Sequence, residues 1–179
     1  MTTAARKLTY EDFARIPDDG FRHEIIEGEE FTTPAPVPEH QTVLLNVLDL
    51  VRSHVKARNL GKVFVAPTDV VLSEHDIVEP DLLFISSDRL SIVGPRNIQG
   101  APDLVVEVTS PSTAALDRGP KLELYRRSGI REYWIVDPAS RTVEIHEFGS
   151  PRRTRVYRDD PSFASAILPE LTVRVADFF

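Results

Sequence analysis

The chain of 179 residues contains no cysteine. That excludes a disulfide scaffold, a thiol nucleophile and a cysteine-ligated zinc site, and it fits a reducing compartment. No apolar run approaches the ~20 residues that cross a bilayer, and the N-terminal stretch MTTAARKLTYEDFARI lacks the apolar centre of an export signal. A cytoplasmic protein with no membrane partner is expected. There is no internal repeat, no low-complexity segment, no glycine-rich phosphate loop and no Ser-His-Asp arrangement.

What is present is ordinary soluble composition, 41% hydrophobic and 27% charged, in a length that suits one domain with a real core. We expect a single domain over 1–179, with 1–20 forming an arm and a short helix. The net charge of -7 argues against a protein that coats nucleic acid nonspecifically. It leaves room for an acidic site that gains local positive charge from a bound divalent cation. Basic residues gather in the second half, from Arg118, Lys121, Arg126, Arg127 and Arg131 to Arg152, Arg153, Arg155 and Arg158. A solvated face is the plain reading of such a cluster.

Thr9 with Glu11 and Asp12 marks a capped short helix. FRHEIIEGEEF reads as a hairpin turning at Glu27-Gly28. His40, Leu44, Val47, Leu48, Val51 and Val55 recur at helical spacing, and Asn59 with Gly61 supplies the stop, which predicts a helix over 39–58. KVFVA and DVVL read as strands around Pro67, and IVEPDLLFI at 77–85 as one further strand. APDLVVEVTS is apolar enough for a central strand. STAALDRGPKLELYRRSG predicts a helix to 128, kinked or starting late at Gly119-Pro120. REYWIVDP is a strand, RTVEIHEF and RRTRVYR a hairpin, and LTVRVADFF a short strand with a turn. The order predicts an α/β fold, a central mixed β-sheet flanked by helices, with 101–137 long enough for a crossover.

Acids interrupt the two most apolar strands, namely Asp81 after Pro80 and Glu107 among valines. A buried carboxylate without a partner costs several kcal/mol or neutralises. Asp103 shares a strand face with Glu107 but lies roughly 13 Å away, too far to share one ion. Lys121 stands one turn after Asp117, and Glu24 lies in the early hairpin. Carboxylates with a lysine suit Mg²⁺-assisted phosphodiester hydrolysis. Oxygen ligands hold the ion, the ion lowers the pKa of a bound water, and the lysine steadies developing charge. The same residues suit a buried salt-bridge network equally well. His40, on the apolar face of its helix, reads first as a hydrogen-bonded core histidine. Tyr125, Tyr133 and Trp134 read as core. SPSTAALDRG offers backbone N–H groups and Arg118 to a phosphate.

The stretches HEIIEGEE, PEHQTVLLNVL, VEPDLLFIS, PDLVVEVTSPST and DRGPKLELYRRSGIREYWIVDP resemble the bacterial Uma-type restriction endonuclease family, part of the PD-(D/E)xK nuclease superfamily. The likeness runs from about residue 8 to the C-terminus. It implies a restriction-endonuclease-like fold and Mg²⁺-dependent (or Mn²⁺-dependent) cleavage of DNA. It implies Asp81 and Glu107 as metal-binding acids and Glu24 as an auxiliary acid that positions a second metal or its water. The superfamily's lysine stands two residues after the second acid, where this chain has Thr109. The resemblance therefore assigns that task to Lys121 on the following helix. A homodimer is implied by analogy with nucleases that cut both strands. Two alternatives stay open, a nuclease fold serving as a nucleic-acid or protein binding module without turnover, and a structural protein with an acidic salt-bridge network.

Overall fold

The computed structural model describes residues 6–159 and 161–179; of the expected arm over 1–20, residues 1–5 lie outside them. The elements run α1 (Tyr10–Phe13), β1 (Arg22–Ile26), β2 (Glu29–Thr33), α2 (Pro38–Arg58), β3 (Gly61–Val65), β4 (Val70–Ser73), β5 (Asp76–Val78), β6 (Leu82–Ser86), β7 (Ile98–Gln99), β8 (Leu104–Val108), α3 (Ala114–Arg118), α4 (Pro120–Arg127), β9 (Glu132–Asp137), β10 (Thr142–Glu147), β11 (Arg153–Arg158), β12 (Ser162–Ala164) and β13 (Thr172–Arg174). Short 3₁₀ turns follow β6 and close the chain at Val175–Phe178.

Six strands form the central sheet in the order β11-β10-β9-β8-β6-β3. It is mixed, because β8 and β9 run parallel while the other pairs are antiparallel. The parallel pair is joined through α3 and α4, as the expected crossover requires. Both faces of this sheet are covered. Leu82, Phe84, Leu104, Val106, Trp134 and Val136 pack towards α2 and the C-terminal segment. Leu83, Ile85, Val105, Tyr133 and Ile135 pack towards α4 and a second sheet. Two-sided burial explains why these strands read as continuous apolar runs rather than alternating ones.

The second sheet, ordered β2-β1-β5-β4-β7, was not foreseen as a separate layer. It exists because the single strand expected over 77–85 is two strands. Pro80 lacks an N–H and restricts the residue before it, so pairing stops at Val78 and resumes at Leu82 in the other sheet. The apolar residues on either side hid the break.

The helices follow their signals. α2 opens on Pro38 at its first turn and ends on Asn59 in the left-handed conformation, with φ 54°. α3 and α4 are separated at Gly119, with Pro120 opening α4. β1 and β2 turn through Glu27 and Gly28, both at positive φ. At the far side, Phe163 meets Trp134 edge to face at 5.1 Å, and Phe178 is fully buried beside them. Phe178→Ala should therefore cost about 3–5 kcal/mol of unfolding free energy by leaving a cavity, read as a lowered urea midpoint. A loss under ~1 kcal/mol would mean the C-terminal turn is not part of the core.

Candidate active site

The break at Pro80 decides where Asp81 points. β6 pairs with β8 through Leu82↔Val106, and one further step in that register sets Asp81 opposite Glu107, on the same face. The contacts agree. The Asp81 N–H donates to Glu107 Oε2 at 3.3 Å, and the Val108 N–H donates to Asp81 Oδ2 at 2.9 Å.

Asp81 takes three donors from three elements. Arg22 Nη1, at the start of β1, reaches Oδ1 at 2.8 Å. His40 Nε2, in the first turn of α2, reaches Oδ2 at 3.0 Å beside the Val108 N–H. A carboxylate only accepts, so Nε2 carries the proton; Nδ1 is buried with no hydrogen-bond partner among the described residues. Burial pushes the Asp81 carboxyl up, but the His40 hydrogen bond and the Arg22 charge outweigh it and hold it down at about 2.

Glu107 is held from α4. Lys121 Nζ donates to Oε1 at 3.0 Å and the Tyr125 hydroxyl donates to the same oxygen at 2.7 Å. Lys121 also pairs with Glu24 Oε2 at 2.8 Å and stands 3.9 Å from Asp117 Oδ1. Glu24 Oε1 accepts the Glu79 N–H at 2.9 Å. Glu24, Asp81, Glu107, Asp117 and Lys121 are each no more than 3% exposed.

Four buried carboxylates thus face two permanent cations, Arg22 and Lys121. Glu107 feels both its burial and this excess of acids. Burial, assisted by Asp81, Asp117 and Glu24, pushes it up to about 8 despite Lys121. Lys121 goes the other way from a buried amine left alone. Burial lowers it, but Glu107, Glu24 and Asp117 raise it beyond its ordinary value. It is a fixed cation at neutral pH and cannot serve as a proton acceptor.

A cleft of about 250 Å³ opens onto this cluster, lined by Arg22, His40, Asp81, Glu107, Asp117 and Lys121. Its rim is the proline segment at 34–36 and the turn at 110–113. The structure therefore brings the Asp81, Glu107, Lys121 and Glu24 of the sequence reading together. Glu24 sits behind Lys121 rather than in the cleft lining.

A divalent ion fits the donor set. Asp81 Oδ2 and Glu107 Oε1 each already accept two hydrogen bonds, which leaves acceptor capacity on Asp81 Oδ1 and Glu107 Oε2. Among the described residues no three acidic or histidine side chains close around one point. Two carboxylates with water and substrate oxygens completing the shell is the habit of Mg²⁺.

Other expectations change. Arg118 is not available to a phosphate, because Glu144 holds its Nε at 2.6 Å and Asp137 its Nη2 at 3.1 Å. Asp103 lies at the far end of β8, satisfied by Ser86, Arg89 and Arg131. His40 is the hydrogen-bonded histidine expected, but its partner is Asp81. Trp134 and Tyr133 are core. Tyr125 is core as well, yet its hydroxyl reaches Glu107. Arg22 escaped the sequence reading altogether; its place two residues before Glu24, on the same strand face, was the available signal.

A family profile described as "Putative restriction endonuclease", Uma2, matches residues 10–176. The chain belongs to the Uma2 family. Among solved structures, the crystal structure of a "putative nuclease belonging to DUF820" from Anabaena variabilis is 21% identical. The likeness covers 96% of this chain and 97% of that one, with a TM-score of 0.81, so the Uma2 chain shares that fold. No curated protein matches. The described residues contain no helix long and apolar enough to cross a membrane.

Two outcomes follow for the Uma2 site without added metal. Glu107, protonated more readily folded than unfolded, contributes stability that is full below about 4.5 and lost as pH rises through about 8. Asp81 acts oppositely, its contribution present above 3.8 and lost as pH falls through about 2. Glu107→Gln should therefore flatten the decline between about pH 5 and pH 8 in urea unfolding; an unchanged slope would mean another group titrates there. Lys121→Ala should cost about 3–5 kcal/mol near pH 8, by leaving Glu24 and Glu107 without their cation. The loss should shrink near pH 5, where Glu107 takes up a proton. A pH-independent loss would contradict the charge account.

Proposed function

We propose that this Uma2 chain hydrolyses DNA phosphodiester bonds with Mg²⁺ or Mn²⁺ held by Asp81 and Glu107. One observation carries the reading. Two adjacent carboxylates, each keeping acceptor capacity on one oxygen, face a cleft where the buried acids Glu24, Asp81, Glu107 and Asp117 outnumber the fixed cations Arg22 and Lys121. Bound there, the ion would acidify a water and shield the phosphate.

The protein's own groups supply the rest. Asp81 stays ionised because His40, Arg22 and the Val108 N–H hold its charged form. Glu107 is fixed in one orientation by Tyr125 and Lys121. Lys121 acts as a standing positive charge beside the attacking water and the phosphate oxygens, not as a base. For Glu24 the geometry favours a supporting part rather than a second ion site. It anchors the Lys121 amine from behind and keeps it charged.

The competing reading, a binding module without turnover, draws on the fact that Lys121 is already saturated by carboxylates. Plasmid nicking with Mg²⁺ or Mn²⁺, run beside Mn²⁺-dependent thermal shift, separates the two. Wild type should nick. Asp81→Asn and Glu107→Gln should lose at least 100-fold in rate, and Mn²⁺ at 100 times its Kd should stabilise wild type by about 2.7 kcal/mol. Metal binding without cleavage of any DNA form would support the binding module. No thermal shift with wild type would remove the metal site.

A further inference from the structure

In the reaction outlined above Arg22 only helps to keep Asp81 ionised, yet it makes the shortest contact to that carboxylate. We propose that Arg22 is a displaceable stand-in for the metal. Its guanidinium occupies the open oxygen of Asp81 in the metal-free protein and turns onto a phosphate of the nucleic acid when the ion arrives. This rests on the metal-site reading of Asp81 and Glu107.

The hydrogen bonds of Asp81 divide into two kinds. Oδ2 is held by the Val108 N–H and by His40, a backbone group and a buried ring. Neither can leave without disturbing β8 or α2. Oδ1 is held by Arg22 Nη1 alone among the described residues. An incoming cation therefore has Oδ1 as its point of attachment, which is where a guanidinium stands at 2.8 Å. A divalent ion and a guanidinium on the same oxygen repel at close range in a low-dielectric cleft. Arg22 must then yield ground.

It has somewhere to go. Its second contact, Nη1 to the Glu79 carbonyl, is long at 3.4 Å. Nε and Nη2 make no hydrogen bond to any described residue. The side chain is 21% exposed and lines the cleft, against 3% for Lys121. Lys121 is pinned between Glu24 and Glu107 and stays where it is. Arg22 is tethered at one nitrogen and open at the others. A planar fork with spare donors, on a flexible stem at the cleft wall, is matched to a phosphate's two oxygens. The same swing would explain how a chain of net charge -7 accepts a polyanion at this cleft, since metal uptake releases a cation towards it.

Calorimetric titration of Mn²⁺ into metal-free protein tests the first half, and anisotropy of a fluorescent DNA duplex in Ca²⁺, with cleavage idle, tests the second. Arg22→Gln should bind Mn²⁺ about tenfold more tightly than wild type and the duplex about tenfold more weakly. Arg22→Lys, which keeps a cation at Asp81, should leave Mn²⁺ affinity close to wild type. Equal or weaker Mn²⁺ binding in Arg22→Gln, or unchanged duplex affinity, would overturn the proposal. Asp81→Ala is the control. If wild type binds Mn²⁺, Asp81→Ala does not, and Arg22→Gln matches wild type, only the Arg22 inference fails. If wild type binds no Mn²⁺, the metal-site reading fails with it. Should Arg22→Gln not fold, the arginine side-chain ¹⁵N signals of wild type decide. The Arg22 signal should shift on Mg²⁺ saturation and again on adding duplex, and a signal indifferent to Mg²⁺ would count against displacement.

Discussion

The ammonium of Lys121 joins three parts of the molecule that would otherwise repel one another. It comes from α4, meets Glu107 on β8 of the central sheet, and meets Glu24 on β1 of the second sheet. Removing these charges from water costs several kcal/mol per ion, repaid only where geometry is close and the remaining lone pairs are occupied. Here they largely are. Tyr125 covers Glu107, and the Glu79 N–H covers Glu24. That one amine is one of several charge ties that hold the two sheets together at this end. Besides Lys121's hold on Glu24, Arg22 at the start of β1 holds Asp81 directly, and Arg127 of α4 holds Asp76 of β5.

Compensation is incomplete, and the incompleteness is local. At the far end of β8, Asp103 receives Ser86, Arg89 and Arg131, and its carboxyl sits below its ordinary value despite burial. Glu107, four residues along the same strand, is pushed up to about 8 by burial. One strand thus carries a buried acid that the fold satisfies and another that it leaves short of positive charge. A stability argument explains the first. The second fits a site where charge is kept in reserve, since carboxyls perturbed by burial and facing a cleft cluster at functional sites. Glu79 reinforces the contrast. Burial and the nearby Asp69 push it up to about 7 at the edge of the same acidic region.

Much of this was legible in the chain. The hairpin at Glu27-Gly28, the helix 39–58 and the interruption at Gly119-Pro120 each rest on local chemistry that acts over a few residues, and each is present. Asp81, Glu107, Lys121 and Glu24 stood out because acids and a lysine in apolar surroundings need partners. What failed to show was non-local. The strand 77–85 divides between two sheets because Pro80 removes one pairing group, while valine and leucine on both sides gave a single apolar signal. Arg118 looked like a free cation beside a loop; its capture by Glu144 and Asp137 depends on how β9 and β10 lie against α3. Arg22 opens a strand two residues before Glu24, on the same face, but its partner Asp81 lies 59 residues away, beyond any local reading.

The lysine expected at Glu107 shows the same limit from the other side. At the superfamily's usual lysine position this chain has Thr109, and Thr109 is occupied. It is buried, and its hydroxyl faces Thr113 in the turn that leads into α3. A lysine there would have to give up that turn. α4 offers another route, because Pro120 starts a helix whose first full residue already points back at β8. From there a four-carbon stem places its amine 3.0 Å from Glu107. On the proposed reading, what matters is an amine at that carboxylate, with its charge held on by neighbouring acids. The strand, the turn and the helix together deliver one there from a different position in the chain.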